Sequence, residues 1–295
     1  MKISGFTFIK NALIYDYPIV EAIKSILPIC DEFIVAVGKS DDETLKLINQ
    51  IDPDKIKIIE TNWDESLRLG GRVLAAETDK AFSNISKDSD WGFYIQGDEV
   101  VHEKYLDTIY AAMLKYKDED KIDGLLFKYL HFYGSYSYVG ASSNWYQNEI
   151  RVVKNDKSIY SFKDAQGFRK KDNKKLRVCP IDAYIYHYGW VKDPKAMQRK
   201  QENFNKFWHN DEWINDNIQK ASEFNYNKSV SELKKFTGEH PKIMKKRIND
   251  KNWKFDYDIA FDKRSLKDKI KQFLKKYFGI DIGYKNYIIT IKKHT

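Results

Sequence analysis

Four short apolar runs, each followed by a segment of helical period, occupy the first hundred residues. Residues 3–9 (Ile-Ser-Gly-Phe-Thr-Phe-Ile), 33–37 (Phe-Ile-Val-Ala-Val), 56–59 (Ile-Lys-Ile-Ile) and 91–96 (Trp-Gly-Phe-Tyr-Ile-Gln) read as strands. After the first, Ile19, Val20, Ile23, Ile26 and Leu27 recur at helical spacing, opened by Asp16 and Pro18 and stopped by Pro28. After the second, a polar turn over 38–44 enters a helix carrying Leu45 and Ile48. After the third, residues 65–82 are helical, with Gly70-Gly71-Arg72 near the start. This alternation predicts an α/β fold, a mostly parallel sheet flanked by helices and joined by right-handed crossovers. The run 33–37 has no polar face, as a strand covered on both sides requires. In such a sheet ligands collect at the C-terminal strand ends. Here those are Asn11, the turn Ser40 to Asp42, and Gly97 to Glu99.

The last of these turns holds the chemistry. Asp90 to Glu99 is an aromatic and β-branched strand ending in adjacent carboxylates, Asp98 and Glu99. A carboxylate there can hold a hard divalent cation, which in turn holds phosphate oxygens. Taken alone, an Asp-Glu pair reads first as a solvated acidic turn; its place in the series argues otherwise. The formal charge of +8 favours an anionic partner without choosing one. No Walker-type loop is present, and Cys30 and Cys179 are too few for a zinc site. Two isolated cysteines fit a reducing compartment. Residues 1–6 lack the apolar core of a signal peptide, and no apolar run reaches the ~18 residues of a spanning helix. The expectation is a cytoplasmic protein.

The second half is read in pieces. A helix covers 103–116, and 123–140 are dense in glycine and aromatics. Residues 144–154 contain Trp145, Glu149 and Arg151 and end in a strand of Ile150, Val152 and Val153. Residues 162–169 form a polar loop around Asp164, and 183–189 an aromatic strand with His187 near its end. Beyond Pro194 the chain turns polar and helical, anchored by Phe204, Phe207, Trp208 and Trp213. The expected division is a catalytic domain over 1–193 and a mostly helical extension over 194–295. Within the extension, 263–277 holds seven basic residues and one acid, with Leu266, Ile270, Phe273, Leu274 and Tyr277 on one helical face. Such a helix either docks its stripe on the domain or lies on an anionic membrane surface, here the inner face of the cell membrane.

In four places the chain resembles the family 2 glycosyltransferases, bacterial enzymes with the A-type glycosyltransferase fold, a Rossmann-like sheet. The first strand with Asn11 and the helix near Asp16 is similar to the family's opening. Gly38-Lys-Ser-Asp-Asp-Glu-Thr44 resembles its Gly-Ser-x-Asp-Gly-Thr turn. Trp91 to Glu99 resembles its metal-binding strand end. Trp145…Glu149-Ile-Arg151-Val-Val and the Asp164 loop resemble its acceptor-side strand and catalytic loop. The order and spacing, across residues 1–190, carry the resemblance. Two positions depart from it. Val37-Gly38 stands where an acid often contacts the nucleotide, and Gln96 replaces the first Asp of the usual Asp-x-Asp.

The resemblance implies a metal-assisted inverting transferase that moves a sugar from a nucleotide-sugar donor to a glycan or lipid-linked acceptor, in cell-surface polysaccharide synthesis. Asp98, with Glu99 and His187, would hold Mg²⁺ or Mn²⁺, a Lewis acid for the departing diphosphate. Asn11, Ser40, Asp42, Arg72, Gln96, Asp98 and Arg151 would contact the donor. Arg72 suits a phosphate by its guanidinium fork, or is a solvated helix residue. Asp164 is the first choice for the base that takes the acceptor proton and Glu149 the second, unless Glu149 pairs with Arg151. Trp145, Tyr146, Tyr133 and Tyr138 stack on sugars or fill the core. Two other readings stay open. A nucleotidyltransferase shares the layout but usually has a Gly-rich basic loop after the first strand, which 10–18 lack. A non-catalytic basic module would bind a membrane or RNA, but the acidic turns oppose nucleic acid.

Overall fold

The computed structural model describes residues 1–67, 69–142, 145–217, 221–228, 230, 232–259, 266–278 and 285–290. Its first half alternates as expected: β1 (Ile3–Ile9), α1 (Ile19–Ile26), β2 (Glu32–Gly38), α2 (Thr44–Asn49), β3 (Ile56–Thr61), α3 (Arg72–Ser83) and β4 (Trp91–Tyr94). β1 lies between β2 and β4, with β3 outside β2, and all four run parallel. On β2, Phe33, Val35 and Val37 enter the core on one face, Ile34 and Ala36 the core on the other. A strand buried on both sides needs a helix on each. α1 supplies Ile19, Ile23 and Ile26 to the first core, and α3 supplies Val73, Leu74 and Phe82 to the second.

The second half completes a mixed sheet. It comprises β5 (Glu99–Val101), α4 (Leu106–Tyr116), β6 (Gly124–Tyr133), β7 (Ser135–Gly140), β8 (Asn148–Lys154), β9 (Ile159–Phe162), β10 (Gly167–Lys170) and β11 (Lys174–Trp190). It ends with α5 (Pro194–Phe204), α6 (Asp211–Asn217), β12 (Leu233–Lys235), α7 (Lys245–Asn249), α8 (Leu266–Phe278) and β13 (Tyr287–Ile289). The strand order is β3-β2-β1-β4-β8-β6-β11-β10-β9. β8 runs antiparallel to both β4 and β6, and β6 is parallel to β11. Residues beyond 193 also join the sheet: β12 pairs with β7, and β13 with β11. The side chains of Phe204 and Phe207, and residues 263–265 of the basic run, lie outside the described residues. No described helix is long and apolar enough to cross a membrane.

One buried ion pair ties β5 to β8, just beyond the end of β4. Arg151 on β8 and Glu99 on β5 are both fully buried. The guanidinium grips the carboxylate with two bonds, Nε to Oε2 at 2.8 Å and Nη2 to Oε1 at 2.7 Å. Tyr129 on β6 donates a third at 2.7 Å, and the Gln96 N–H a fourth at 3.1 Å. The Arg151 guanidinium also lies 5.3 Å from the ring centres of both Tyr94 and Tyr129. Removing one partner of such a pair strands a buried charge, at a cost of about 3–5 kcal/mol. Arg151→Met should therefore lower the urea unfolding free energy by about that amount. A change below about 0.5 kcal/mol, the range of ordinary surface substitutions, would show that the pair does not hold the sheet.

Candidate functional site

A cavity of about 470 Å³ opens at the C-terminal ends of β1 and β4. Its floor is strand-end residues: Phe8 to Asn11, and Gln96 to Asp98. Its walls come from distant parts of the chain. Trp63 follows β3, Val73 and Leu74 lie on α3, and Asp164 sits in the turn between β9 and β10. That turn holds Lys163 and Ala165 at φ 57° and 64°, an arrangement that projects Asp164 between them. His187 and Trp190 arrive on β11, and Lys200, Gln201 and Asn203 on α5. α5 starts where it does because Pro194 takes the first helical position and Asp193 accepts the N–H groups of Lys195 and Ala196. Gly71 lets the Asp164 turn close down. A Cβ there would come within 2.7 Å of the Asp164 Cβ and 3.3 Å of the Trp208 ring.

Asp98, His187 and Lys200 form the polar centre. His187 Nε2 is 3.7 Å from Asp98 Oδ1, and Lys200 Nζ is 3.3 Å from Oδ2. Burial alone would raise the Asp98 carboxyl, but Lys200 foremost, then His187 and Lys192, hold it down at about 2. Behind His187 stands His131, with the two Nδ1 atoms 3.0 Å apart. His131 Nε2 is 2.7 Å from the Tyr146 carbonyl, which can only accept, so that nitrogen carries the proton. Burial, with the neighbouring His187, keeps His131 neutral, so its Nδ1 accepts from His187 Nδ1–H. His187 Nε2 is left with a lone pair turned towards the Asp98 carboxylate. Lys200 already stands beside the carboxylate as one cation, and the two acceptor atoms could also hold a metal ion. The backbone makes room for one at Gly189, where a Cβ would lie 2.6 Å from His187 Nε2 and 2.7 Å from Asp98 Oδ2.

Of the donor and catalytic residues expected from the sequence, Asn11, Gln96, Asp98, Asp164 and His187 line this one cavity. Gln96 donates to the Ala165 carbonyl at 3.1 Å, tying the β4 end to the Asp164 turn. The others are placed elsewhere. Glu99, expected as a second metal ligand, is consumed by Arg151, Tyr129 and the Gln96 N–H. Arg151 is consumed with it and does not reach the cavity. Asp42 accepts the N–H groups of Leu13 and Ile14 and bonds Thr44, so it clips the loop after β1 to the loop after β2. Ser40 serves the same clip, accepting the Asn11 N–H at 3.0 Å. Its neighbour Asp41 is the carboxylate that lines the cavity. Arg72 is exposed and donates to the Leu69 carbonyl, away from the cavity. Glu149 is buried off the cavity, and burial pushes its carboxyl up to about 8. It does not pair with Arg151, whose guanidinium is engaged elsewhere. Tyr133 and Tyr138 are core residues, and Trp145 stacks on His131 with ring centres 5.1 Å apart.

Several cavity residues carried little or no sequence signal. Lys200 and Trp208 belong to a polar helical region so dense in charged and aromatic residues that neither stands out as a site residue. Trp63 could have been found, since it follows a strand end as Asn11 does. Its indole covers Gly38, where a Cβ would lie 2.4 Å from Nε1. Lys192 is wholly buried, 2.5 Å from the Asp16 carbonyl and 4.5 Å from the Tyr17 ring centre.

No protein-family model and no curated protein matches this chain. Among solved structures, Staphylococcus aureus TarS is similar at 14% identity and a TM-score of 0.40, covering 68% of this chain and 38% of its own. A 4-diphosphocytidyl-2C-methyl-D-erythritol synthase from Anaerococcus prevotii is similar at 12% identity and a TM-score of 0.36, covering 65% and 91%. Glucosyl-3-phosphoglycerate synthase from Mycobacterium tuberculosis, crystallised with Mn²⁺, uridine diphosphate and glucosyl-3-phosphoglycerate, is similar at 18% identity and a TM-score of 0.30, covering 45% of each chain. The chain thus spans less than half of the TarS and synthase chains from S. aureus and M. tuberculosis. Likeness this slight decides nothing about substrate or reaction.

Lys192 gives the site a pH signature. Burial first, and Lys200 next, lower its ammonium to about 7. In the unfolded chain a lysine loses its proton near about 10.4. Between about pH 7 and about pH 10 the unfolded state therefore binds more protons, and stability rises with pH across that window. Wild-type protein should gain about 4–5 kcal/mol relative to Lys192→Met as pH rises through it. Urea unfolding at stepped pH reads this directly. Parallel curves for the two proteins would mean that Lys192 is charged in the fold.

Proposed function

We propose that this protein is an inverting glycosyltransferase that moves a sugar from a nucleotide-sugar to a hydroxyl of a glycan or lipid-linked acceptor, in cell-surface polysaccharide synthesis. The observation that carries the reading is the convergence of Asp98, His187 and Asp164 on one cavity at the ends of β1 and β4. They come from three separate parts of the sequence, and the resemblance to family 2 glycosyltransferases names all three. Asn11 and Asp41 would meet the nucleoside, with the Trp63 face in place of the acid missing after Val37. Lys10, Lys200 and Lys206 line the same cavity and would neutralise the diphosphate. Trp63, Trp190 and Trp208 would exclude water.

The residues present fit a divalent cation. Asp98 and His187 Nε2 converge as acceptors, and Gly189 keeps the space beside them open. Among the described residues no three His, Cys, Asp or Glu side chains gather, so the diphosphate would complete the shell. Mg²⁺ or Mn²⁺ held there would supply charge to the leaving group. The chain's own work is at the other end of the bond. Asp164 takes the acceptor's hydroxyl proton as that oxygen attacks the anomeric carbon. The bond to the nucleotide oxygen breaks on the opposite side, and the nucleoside diphosphate leaves. One displacement inverts the centre. Burial raises the Asp164 carboxyl above its ordinary value, which makes it a better proton acceptor.

Titrating uridine and guanosine diphosphates with and without Mn²⁺ tests the donor site. Binding should need the metal and weaken at least about tenfold, ~1.4 kcal/mol, in Asp98→Ala. Metal-independent binding that the substitution leaves unchanged would remove the assignment. Asp164→Asn should keep nucleotide binding and lose turnover by about 10²–10⁴. Retained turnover would take Asp164 out of the base role.

A further inference from the structure

α8 is attached to the protein by its polar side. Gln272 donates to the Ala141 carbonyl at 2.9 Å and to Glu232 Oε2 at 3.3 Å. Asp268, Lys271, Gln272 and Leu274 are half-buried, so one leucine of the expected stripe turns towards the domain with them. The apolar stripe faces the other way. Leu266, Ile270, Phe273, Tyr277 and Phe278 are between 54% and 79% exposed. The first four recur at intervals of four, three and four residues, so they form one continuous face. Phe273 packs on Tyr277 and Phe278 with ring centres 4.8 and 6.0 Å apart, which makes the stripe a ridge rather than scattered side chains. Docking against the domain, one of the two readings of this helix, would have buried that ridge. Contiguous exposed apolar surface of this kind marks an interaction site.

Charge identifies the occupant. Residues 263–277 carry seven basic residues against one acid, Asp268. A second copy meeting this face would bring two such clusters together, which Coulomb repulsion opposes. Nucleic acid offers phosphates but no apolar surface to cover five large side chains. An anionic bilayer offers both, with lipid phosphates at the surface and acyl chains beneath. At 1.5 Å per residue, the 13 residues of α8 span about 20 Å, enough to lie along a bilayer surface and too short to cross one. We propose that α8 lies in the headgroup layer of an anionic membrane, its apolar ridge towards the acyl chains, drawn there by the basic composition of 263–277. The helix rests on the segment after β7, where Ala141 leads to Trp145. Trp145 meets the ring of Trp190 edge-on at 6.3 Å, and Trp190 lines the cavity. Membrane contact therefore falls close to the cavity wall. The docking holds whether or not the cavity transfers sugar.

The test is sedimentation of the full chain with vesicles of pure phosphatidylcholine and with vesicles carrying one part phosphatidylglycerol to three of phosphatidylcholine. The protein should pellet with the anionic vesicles at least about tenfold more than with the neutral ones. Raising salt to about 1 M, where the Debye length falls to about 3 Å, should release most of it. Ile270→Ser/Phe273→Ser should lose binding at least about tenfold, while its unfolding midpoint stays that of wild type because both side chains face solvent. Equal binding to neutral vesicles, or anionic binding that survives the double substitution, overturns the proposal. So does a dimer in light scattering that the same substitution dissolves. Nucleotide binding measured alongside reports on the cavity separately, so either reading can fail alone.

Discussion

The bidentate grip of Arg151 on Glu99 decides which way the next carboxylate points. Gln96 to Glu99 form a tight turn, closed by the Glu99 N–H on the Gln96 carbonyl at 3.0 Å. With Glu99 held inward by Arg151, Tyr129 and the Gln96 N–H, the turn leaves Asp98 to line the cavity. The Asp98 carbonyl accepts the Tyr188 N–H at 2.8 Å, and Glu99 stands opposite His187 in the β5–β11 ladder. One buried pair thus sets the orientation of Asp98 and the register that brings His187 to it. The pair's own net contribution to stability is small next to the cost of breaking it, so its value lies in specifying geometry.

The parallel half of the sheet supplies a rim, and the antiparallel half brings the rest of the chemistry to it. β11 lies beside β6 in the sheet, parallel to it, with irregular register on either side of Tyr184 to His187. Those irregularities let a 17-residue strand carry His187 and Trp190 to the cavity while its start pairs with β10 and β13. α5 then turns back across the mouth and places Lys200 beside Asp98. Tyr17, at the start of the chain, lies 5.1 Å from Lys200 Nζ and 4.5 Å from Lys192 Nζ, so one ring faces both ammonium groups.

Residues whose position follows from local pattern were legible in the sequence, and residues whose position follows from tertiary contact were not. The β-α alternation and the strand-end positions of Asn11, Gln96 and Asp98 are local, and they stand where the pattern puts them. Asp164 and His187 were reached through resemblance to a family's order of segments. Glu99 and Arg151 were misplaced because a buried ion pair between β5 and β8 looks, in one dimension, like two charges near a site. Ser40 and Asp42 were assigned to a ligand for a similar reason. A turn that binds phosphate and a turn that clips its neighbour's N–H groups use the same small polar residues. Lys192 and Lys200 had no pattern at all, since only the fold brings them to Asp98.

The charges gathered at Asp98 describe what the cavity is built to receive. One carboxylate, held ionised, faces the Lys200 ammonium, with Lys192 buried behind and Lys10 and Lys206 at the rim. Gln96 adds no charge to the floor, and Glu99 is neutralised by Arg151. Among the residues that line the cavity, Lys10, Lys200 and Lys206 are set against Asp41, Asp64, Asp98 and Asp164, so the two signs are nearly balanced before any ion or substrate arrives. On the proposed reading the lysines would take up the diphosphate, and Asp164, whose affinity for a proton burial raises, would serve the acceptor end of the bond. A single displacement needs both charges in one cavity, and this lining holds both.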